Sequence, residues 1–179
     1  MKTSTVREDF VKPIVVLTLI CLIASALLAY INSVTKPIIE ETEAAIAAEA
    51  RKEVLPEADD FTLLDLDLPE GSFVTAVYEA NNGAGYVFMI TCNGYGGKGT
   101  MNLITSMDKA GSIVATKTLS HAETAGLGSK TTEDSFRSQF VGVNNDTLGQ
   151  VDTISGATFS SRYYIEGIQS AFDAYELIK

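Results

Sequence analysis

The sequence has few of the residues from which metal and disulfide sites are built. It contains two cysteines, Cys21 and Cys92, one histidine, His121, and no tryptophan. Two cysteines are too few for a disulfide framework or for the ligands of an iron–sulfur cluster. A single histidine gives poor support to a zinc site. We therefore expect no metal centre in this chain.

Basic residues are also scarce. The chain has 13 lysines and arginines against 23 aspartates and glutamates, and its formal net charge is -10. Polyphosphate backbones repel a chain this acidic, so the composition argues against nucleic-acid binding. The length of 179 residues suffices for one ordinary domain and one further element.

A long uncharged segment lies near the N-terminus. No charged residue occurs between Lys12 and Lys36. As a helix, residues 13–35 would extend about 35 Å, enough to cross a hydrocarbon core of about 30 Å. The segment therefore predicts a transmembrane helix. A cleaved signal peptide is the alternative, because small residues occur within the segment.

The charges that flank this segment predict its orientation. Lys2, Arg7 and Lys12 precede the segment, whereas Lys36 follows it among several glutamates. By the positive-inside rule, we expect residues 1–12 to be cytoplasmic and the residues after the transmembrane segment to be extracytoplasmic.

The rest of the sequence predicts a linker and one α+β domain with an antiparallel sheet and packed helices. Residues 36–56, with Pro37 suited to a first helical turn, are rich in Ala and Glu and predict a juxtamembrane helix. Within residues 57–179, two pairs of β-rich runs flank turns that contain glycine, which is typical of hairpins. The runs cover residues 73–78, 86–92, 100–107 and 112–119.

Two helices are predicted after the hairpins. Residues 160–177 carry apolar side chains at helical spacing, namely Ile165, Ile168, Phe172 and Tyr175. A shorter helix is predicted over residues 133–140, with Asp134 or Thr132 near its N-cap.

Three segments rich in glycine and hydroxyl groups are candidates for ligand binding: residues 93–99, 121–128 and 152–161. The first segment lacks the Ser or Thr that directly follows Lys in a P-loop, because Gly99 follows Lys98. It is therefore either a plain turn between strands or a ligand-lining loop. The third segment precedes the last helix. It is either an anion site at a helix N-terminus or a helix cap made by Ser155, Thr158 or Ser160.

Together the segments resemble the FMN-binding subunits of ion-translocating oxidoreductases. The resemblance is to the G subunit of the Rnf complex and, more distantly, to the C subunit of the sodium-pumping NADH:quinone reductase. Besides the N-terminal helix, the motifs that carry it are Gly94-Tyr95-Gly96-Gly97, His121-x-Glu123-Thr124-x-Gly126-Leu127-Gly128 and Asp152-x-x-Ser155-Gly156-Ala157-Thr158-x-Ser160.

The resemblance implies a covalent flavin. The FMN phosphate would be esterified to Thr158, and a separate flavin transferase would recognise the motif that includes Ser155, Gly156 and Ala157. The other residues expected beside the cofactor belong to the second segment: Glu123, Thr124, Gly126 and Leu127. This sequence has Ala125 where the family usually has Pro, which removes a backbone restraint from the loop.

Two further residues have open or modest expected roles. Tyr95 either stacks on the flavin or packs in a core or interface. His121 is expected to form a hydrogen bond within its loop rather than to act in catalysis, because one-electron transfer by a flavin needs no protein acid or base.

The resemblance also implies the function. The chain would carry electrons in a prokaryotic membrane complex that couples ferredoxin and NAD chemistry to ion transport. Its partners would be the other membrane, flavin and iron–sulfur subunits. The alternatives are a free-standing membrane-anchored flavin module for sensing or extracellular electron transfer, and a secreted binding protein with a cleaved signal.

Overall fold

The computed structural model describes residues 3–179, with side chains from residue 10 onward. Lys2, one of the cations used to predict orientation, lies outside these residues. The fold is α+β, as predicted. Its elements are α1 (Thr3–Val54), β1 (Phe61–Leu64), β2 (Val74–Ala80), β3 (Tyr86–Gly94), β4 (Gly97–Met107), β5 (Ile113–His121), α2 (Asp134–Arg137) and α3 (Thr158–Tyr175), with 3₁₀ turns at Gly128–Thr132, Ser138–Phe140 and Leu148–Gln150.

α1 carries the apolar segment and is long and apolar enough to cross a membrane. The prediction that Pro37 begins a new helix is wrong, because Pro37 lies inside α1. A proline removes one backbone donor from a helix. In the turn before Pro37, Ser33 Oγ donates to the Tyr30 carbonyl and Thr35 Oγ1 donates to the Ile31 carbonyl, each at 2.7 Å.

The chain divides into two compact units between Ala45 and Ile46. The second unit therefore includes the last turns of α1, where Ala50 and Val54 are buried against the sheet. Limits of 36–56 for the linker and 57–179 for the domain stay a prediction.

The sheet is an antiparallel meander with the order β1-β2-β3-β4-β5. Both predicted hairpins are confirmed, with β2 paired to β3 and β4 paired to β5. β3 and β4 also pair, and Gly94 opposite Gly97 leaves Tyr95 and Gly96 as a two-residue turn.

The two faces of the sheet bury different parts of the chain. Side chains alternate between faces along a strand, so Phe88 and Ile90 of β3 face α3 while Val87 faces the end of α1. On the second face, the hydroxyl of Ser106 donates to the carbonyl of Val54 at 2.5 Å.

α3 packs across the first face through the predicted helical stripe. Ile168 and Phe172 are buried, and Tyr164, which the stripe did not include, is fully buried. The prediction of one helix over residues 133–140 needs correction, because α2 is followed by a 3₁₀ turn. The predicted capping residues are also wrong, because Glu133 is the N-cap and makes no side-chain capping bond.

Candidate functional site

The three glycine-rich segments meet at one end of the sheet. The β3–β4 turn lies at this end, β5 terminates beside it with His121 paired to Met101, and α3 begins there. Together they enclose a cavity of about 360 Å³. Its lining residues are Tyr95, Glu123, Thr124, Leu127, Gly128, Gly156, Ala157, Thr158, Phe159 and Ser160.

Glu123 connects the three segments. Its Oε1 accepts a hydrogen bond from the Tyr95 N–H at 2.8 Å, and its Oε2 accepts one from the Ser160 hydroxyl at 2.5 Å. The residue is only 9% exposed. A buried carboxylate requires such donors, because removing it from water without them costs far more than the roughly 2–7 kcal/mol that a neutral polar group costs. We therefore describe Glu123 as a clamp between the β3–β4 turn and α3.

Two glycines leave room for this carboxylate. A Cβ on Gly94 would collide with Glu123 Oε1 and lie 2.6 Å from Thr100 Oγ1. A Cβ on Gly128 would collide with Glu123 Oε2 and lie 2.6 Å from Ser160 Oγ. These two glycines of the first two motifs therefore serve close packing around Glu123.

His121 has the hydrogen-bonding role expected of it. Its Nδ1 accepts the backbone N–H of Glu123 at 3.1 Å. This bond fixes the start of the loop that carries the clamp. His121 is exposed and is not among the residues that line the cavity.

The hydroxyl groups around the start of α3 differ sharply in their surroundings. Ser160 is buried and bonded to Glu123, and Ser161 is buried, donating to the Ala157 carbonyl and accepting the Ile154 N–H. Thr158 is exposed and lines the cavity.

The capping alternative for these hydroxyls is wrong. The N-cap of α3 is Ala157, which makes no side-chain capping bond. The first N–H groups of a helix have no partners within the helix, and its N-terminus carries a partial positive charge. The start of α3 therefore suits a phosphate next to Thr158.

Most of the predicted site residues are brought together. Six of them line the cavity: Glu123, Thr124, Leu127, Gly156, Ala157 and Thr158. Ser155 and Gly126 are exposed nearby but do not line it. The positive φ values of Gly126 and Gly156, 75° and 80°, show that both shape the backbone of their loops.

Sequence reasoning missed Phe159, Gly128 and Ser160 as lining residues. The sequence held one signal for Phe159. It is a large apolar residue next to the polar motif, and it does not belong to the apolar stripe of α3, so a contact with a ligand could have been inferred. Gly128 gave none beyond its motif, because its role depends on contacts with Glu123 and Ser160 from other parts of the chain.

Cys92 is excluded as a reactive group at this end of the sheet. It is fully buried, and burial raises the pKa of its thiol to about 12. A protonated thiol out of contact with solvent is a poor nucleophile. Among the described residues, no group of His, Cys, Asp and Glu is arranged to hold a metal ion.

These features fit FMN. The cavity volume lies within the usual range for ligand pockets, roughly 300–1,000 Å³. Apolar side chains of Tyr95, Leu127 and Phe159 suit a flat ring, and the start of α3 suits a phosphate. The fold and the site thus define a protein with a domain suited to bind a flavin nucleotide, which follows a long apolar helix.

Comparison with known proteins agrees with this class. Residues 94–173 match the family model of the FMN-binding domain. The chain is 34% identical over 178 residues to the G subunit of the ion-translocating oxidoreductase complex of Methanosarcina acetivorans, covering 93% of this chain and 94% of the relative. The chain therefore belongs to the family of G subunits of ion-translocating oxidoreductase complexes.

Two more distant relatives have more specific names. The G subunit of the proton-translocating ferredoxin:NAD(+) oxidoreductase complex of Clostridium ljungdahlii is 25% identical, covering 88% of this chain and 86% of the relative. The G subunit of the Na(+)-translocating ferredoxin:NAD(+) oxidoreductase complex of Acetobacterium woodii is 25% identical, covering 90% and 89%.

Proposed function

We propose that this chain is the electron-carrying G subunit of an Rnf-type ferredoxin:NAD oxidoreductase and that it carries FMN esterified to Thr158. The observation that supports this most directly is the position of Thr158. It is the first residue of α3, its side chain is exposed, and it lines the cavity.

The neighbouring hydroxyls are less suitable acceptors. Ser160 and Ser161 are buried and already hydrogen-bonded. Thr124 is exposed in the same cavity but lies in a loop rather than at the start of a helix. Among these residues, Thr158 alone combines an accessible hydroxyl with the N–H groups and dipole of a helix N-terminus.

Attachment of FMN requires an activated donor and a separate enzyme. In the proposed step, the Oγ1–P bond to Thr158 forms as the pyrophosphate bond of a flavin dinucleotide breaks. The nucleoside monophosphate leaves, and a base in the flavin transferase takes the threonine proton. Gly156 has no side chain and Ala157 has only a methyl group, so the transferase can reach the hydroxyl.

The chain's own residues would bind and orient the cofactor. The bound flavin supplies the redox chemistry. The segment that leads to Thr158 consists of Ser155, Gly156 and Ala157. The loop on the other side of the cavity contains Glu123, Thr124, Gly126 and Leu127. Electron transfer needs no acid or base from the protein, so we nominate no catalytic residue.

The apolar helix would keep the protein in the membrane. We propose a single, uncleaved span over residues 13–35, with residues 1–12 cytoplasmic and the flavin domain extracytoplasmic, as Arg7 and Lys12 favour. The other membrane, flavin and iron–sulfur subunits of the complex are the proposed partners. Their co-purification with this chain would separate a member of the complex from a free-standing flavin module.

Replacement of Thr158 tests the proposal. Thr158→Val keeps the shape and β-branching but removes the oxygen, so covalent flavin should be lost completely. The unfolding free energy should change by no more than about 0.5 kcal/mol, because the side chain is exposed. The measurement is flavin fluorescence in a denaturing gel after co-expression with a flavin transferase.

Two matched variants make this test specific. Thr124→Val removes an exposed hydroxyl from the same cavity and should retain covalent flavin. Thr158→Ser restores an acceptor oxygen and should also be labelled. Persistent fluorescence of Thr158→Val, or none in the parent protein, would contradict the assignment.

A further inference from the structure

The exposed aromatic side chains of the second unit are confined to the cavity. Across residues 46–179, all of which the structure describes, Tyr95 and Phe159 are the only exposed tyrosine and phenylalanine, at 70% and 62%. Both line the cavity, together with Leu127, which is 49% exposed. Aromatic rings carry large apolar surfaces that folding normally buries. Their exposure at one place indicates a ligand that covers them.

The two rings are held by different elements. Tyr95 forms half of the two-residue β3–β4 turn, and its backbone N–H is bonded to the Glu123 clamp. Phe159 is the second residue of α3 and directly follows Thr158. Both rings are therefore carried on a well-defined backbone, and a ligand attached at Thr158 starts beside one of them.

Leu127 is the third exposed apolar side chain of the cavity. A Cβ on Gly156 would be 3.9 Å from Leu127 Cδ2, which places this side chain against the loop that leads to Thr158. The one carboxylate that lines the cavity, Glu123, has both oxygens occupied by protein donors. The lining that remains available to a ligand is therefore largely apolar.

We propose that Tyr95 and Phe159 are the two aromatic contact surfaces for the isoalloxazine ring, with Leu127 as a third apolar contact. The inference rests on the proposed attachment of FMN to Thr158. A flat tricyclic ring is the ligand that two aromatic side chains and a leucine cover best, since aromatic rings attract one another in offset stacked and edge arrangements. Glu123 is a positioning residue in this arrangement, because it acts through the backbone of Tyr95.

The proposal has an optical consequence. A phenol ring in contact with an excited flavin donates an electron to it and suppresses its emission. Covalent FMN on the folded chain should therefore emit weakly, recover its emission on denaturation, and resist quenching by iodide, since the protein covers the ring.

Variants of the two aromatic residues test the proposal on the flavin-loaded, full-length protein. Tyr95→Ala should raise the emission of the folded protein relative to the denatured protein and should give iodide access to the flavin. Phe159→Ala should give iodide access with a smaller rise in emission. Leu63→Ala removes a side chain that is 59% exposed on β1 and away from the cavity lining, and it should change neither quantity.

A conservative variant covers the case in which Tyr95→Ala takes up no flavin. Tyr95→Phe keeps the ring but removes the phenol, so emission should rise while iodide protection remains. Unchanged emission and iodide access in the loaded aromatic variants would overturn the ring contacts while leaving attachment at Thr158 intact. A parent protein without covalent flavin would instead overturn the proposed function itself.

Discussion

The two ends of α3 differ in what occupies the space beside a neighbouring glycine. At its C-terminal end, the Tyr175 ring packs over Gly111 of the β4–β5 turn, and its hydroxyl donates to the Lys109 carbonyl at 2.8 Å. At its N-terminal end, Thr158 and Phe159 are exposed beside a cavity. At the C-terminal end, the Tyr175 ring therefore fills the space beside Gly111.

The open end uses its glycines differently. Gly94 and Gly128 make room for the Glu123 carboxylate, which draws the turn and the helix together without filling the space above them. We infer that the C-terminal end of α3 at Tyr175, the closed end, stabilises the fold. The N-terminal end at Thr158 and Phe159, the open end, arranges groups around a ligand. Changes at the C-terminal end of α3 should therefore lower stability without lowering flavin loading, whereas changes at the N-terminal end should lower flavin loading.

Gly128→Ala should produce the largest effect. The added Cβ would collide with the Glu123 carboxylate and lie 2.6 Å from Ser160 Oγ, so the clamp must shift. We expect a loss of about 1–3 kcal/mol of unfolding free energy and a marked fall in covalent flavin. Chemical denaturation and in-gel fluorescence measure the two quantities.

Gly149→Ala is the matched control for Gly128→Ala. No atom lies within 4 Å of the Cβ position at Gly149, and the residue sits in a 3₁₀ turn outside the cavity lining. Its stability should change by no more than about 0.5 kcal/mol. Full flavin loading of Gly128→Ala would show that the clamp does not support attachment.

Gly111→Ala tests the closed end. Gly111 has a φ of 80°, and a Cβ there would lie 2.8 Å from the Tyr175 ring. Strain and overpacking should together lower the unfolding free energy by about 1–3 kcal/mol, measured by denaturation. Covalent flavin should be retained at temperatures where the variant is folded. A loss of flavin from the folded variant would mean that the two ends are not separable.

Tyr175→Phe should have the smallest effect. It removes the hydroxyl that donates to the Lys109 carbonyl but keeps the ring over Gly111 and beside Tyr86, whose ring centroid lies 6.0 Å away. A single neutral hydrogen bond contributes about 1 kcal/mol, so the denaturation midpoint should move slightly and flavin loading not at all. A drop as large as that of Gly111→Ala would show that the hydroxyl, rather than the ring, closes this end.

The fold was largely predictable because its signals are local. Alternating apolar residues and glycine-containing turns predicted the two hairpins, and the spacing of Ile168, Phe172 and Tyr175 predicted the face of α3. Pro37 led to a wrong prediction of where the juxtamembrane helix begins. A proline disfavours a helix interior only by the bond it removes and by steric conflict, and the surrounding helix-forming sequence outweighed both.

The site was predictable in outline but not in its internal contacts. Motif order identified the three segments, whereas the bonds from Glu123 to Tyr95 and Ser160 join residues far apart in sequence and follow from tertiary packing. The capping hypothesis failed for the same reason, since Ser160 binds a distant carboxylate instead of the local backbone. Phe159 became visible as a lining residue only through its exposure.

The central claim is that Thr158 at the open end of α3 carries the flavin, and peptide mass spectrometry tests it most directly. The protein is co-expressed with a flavin transferase and digested with trypsin, and the peptide that ends at Arg162 is fragmented. The account predicts that this peptide carries the mass of FMN less one water and that the fragment ions assign it to Thr158. An unmodified peptide, or the same mass on Ser155, Ser160 or Ser161, would contradict it.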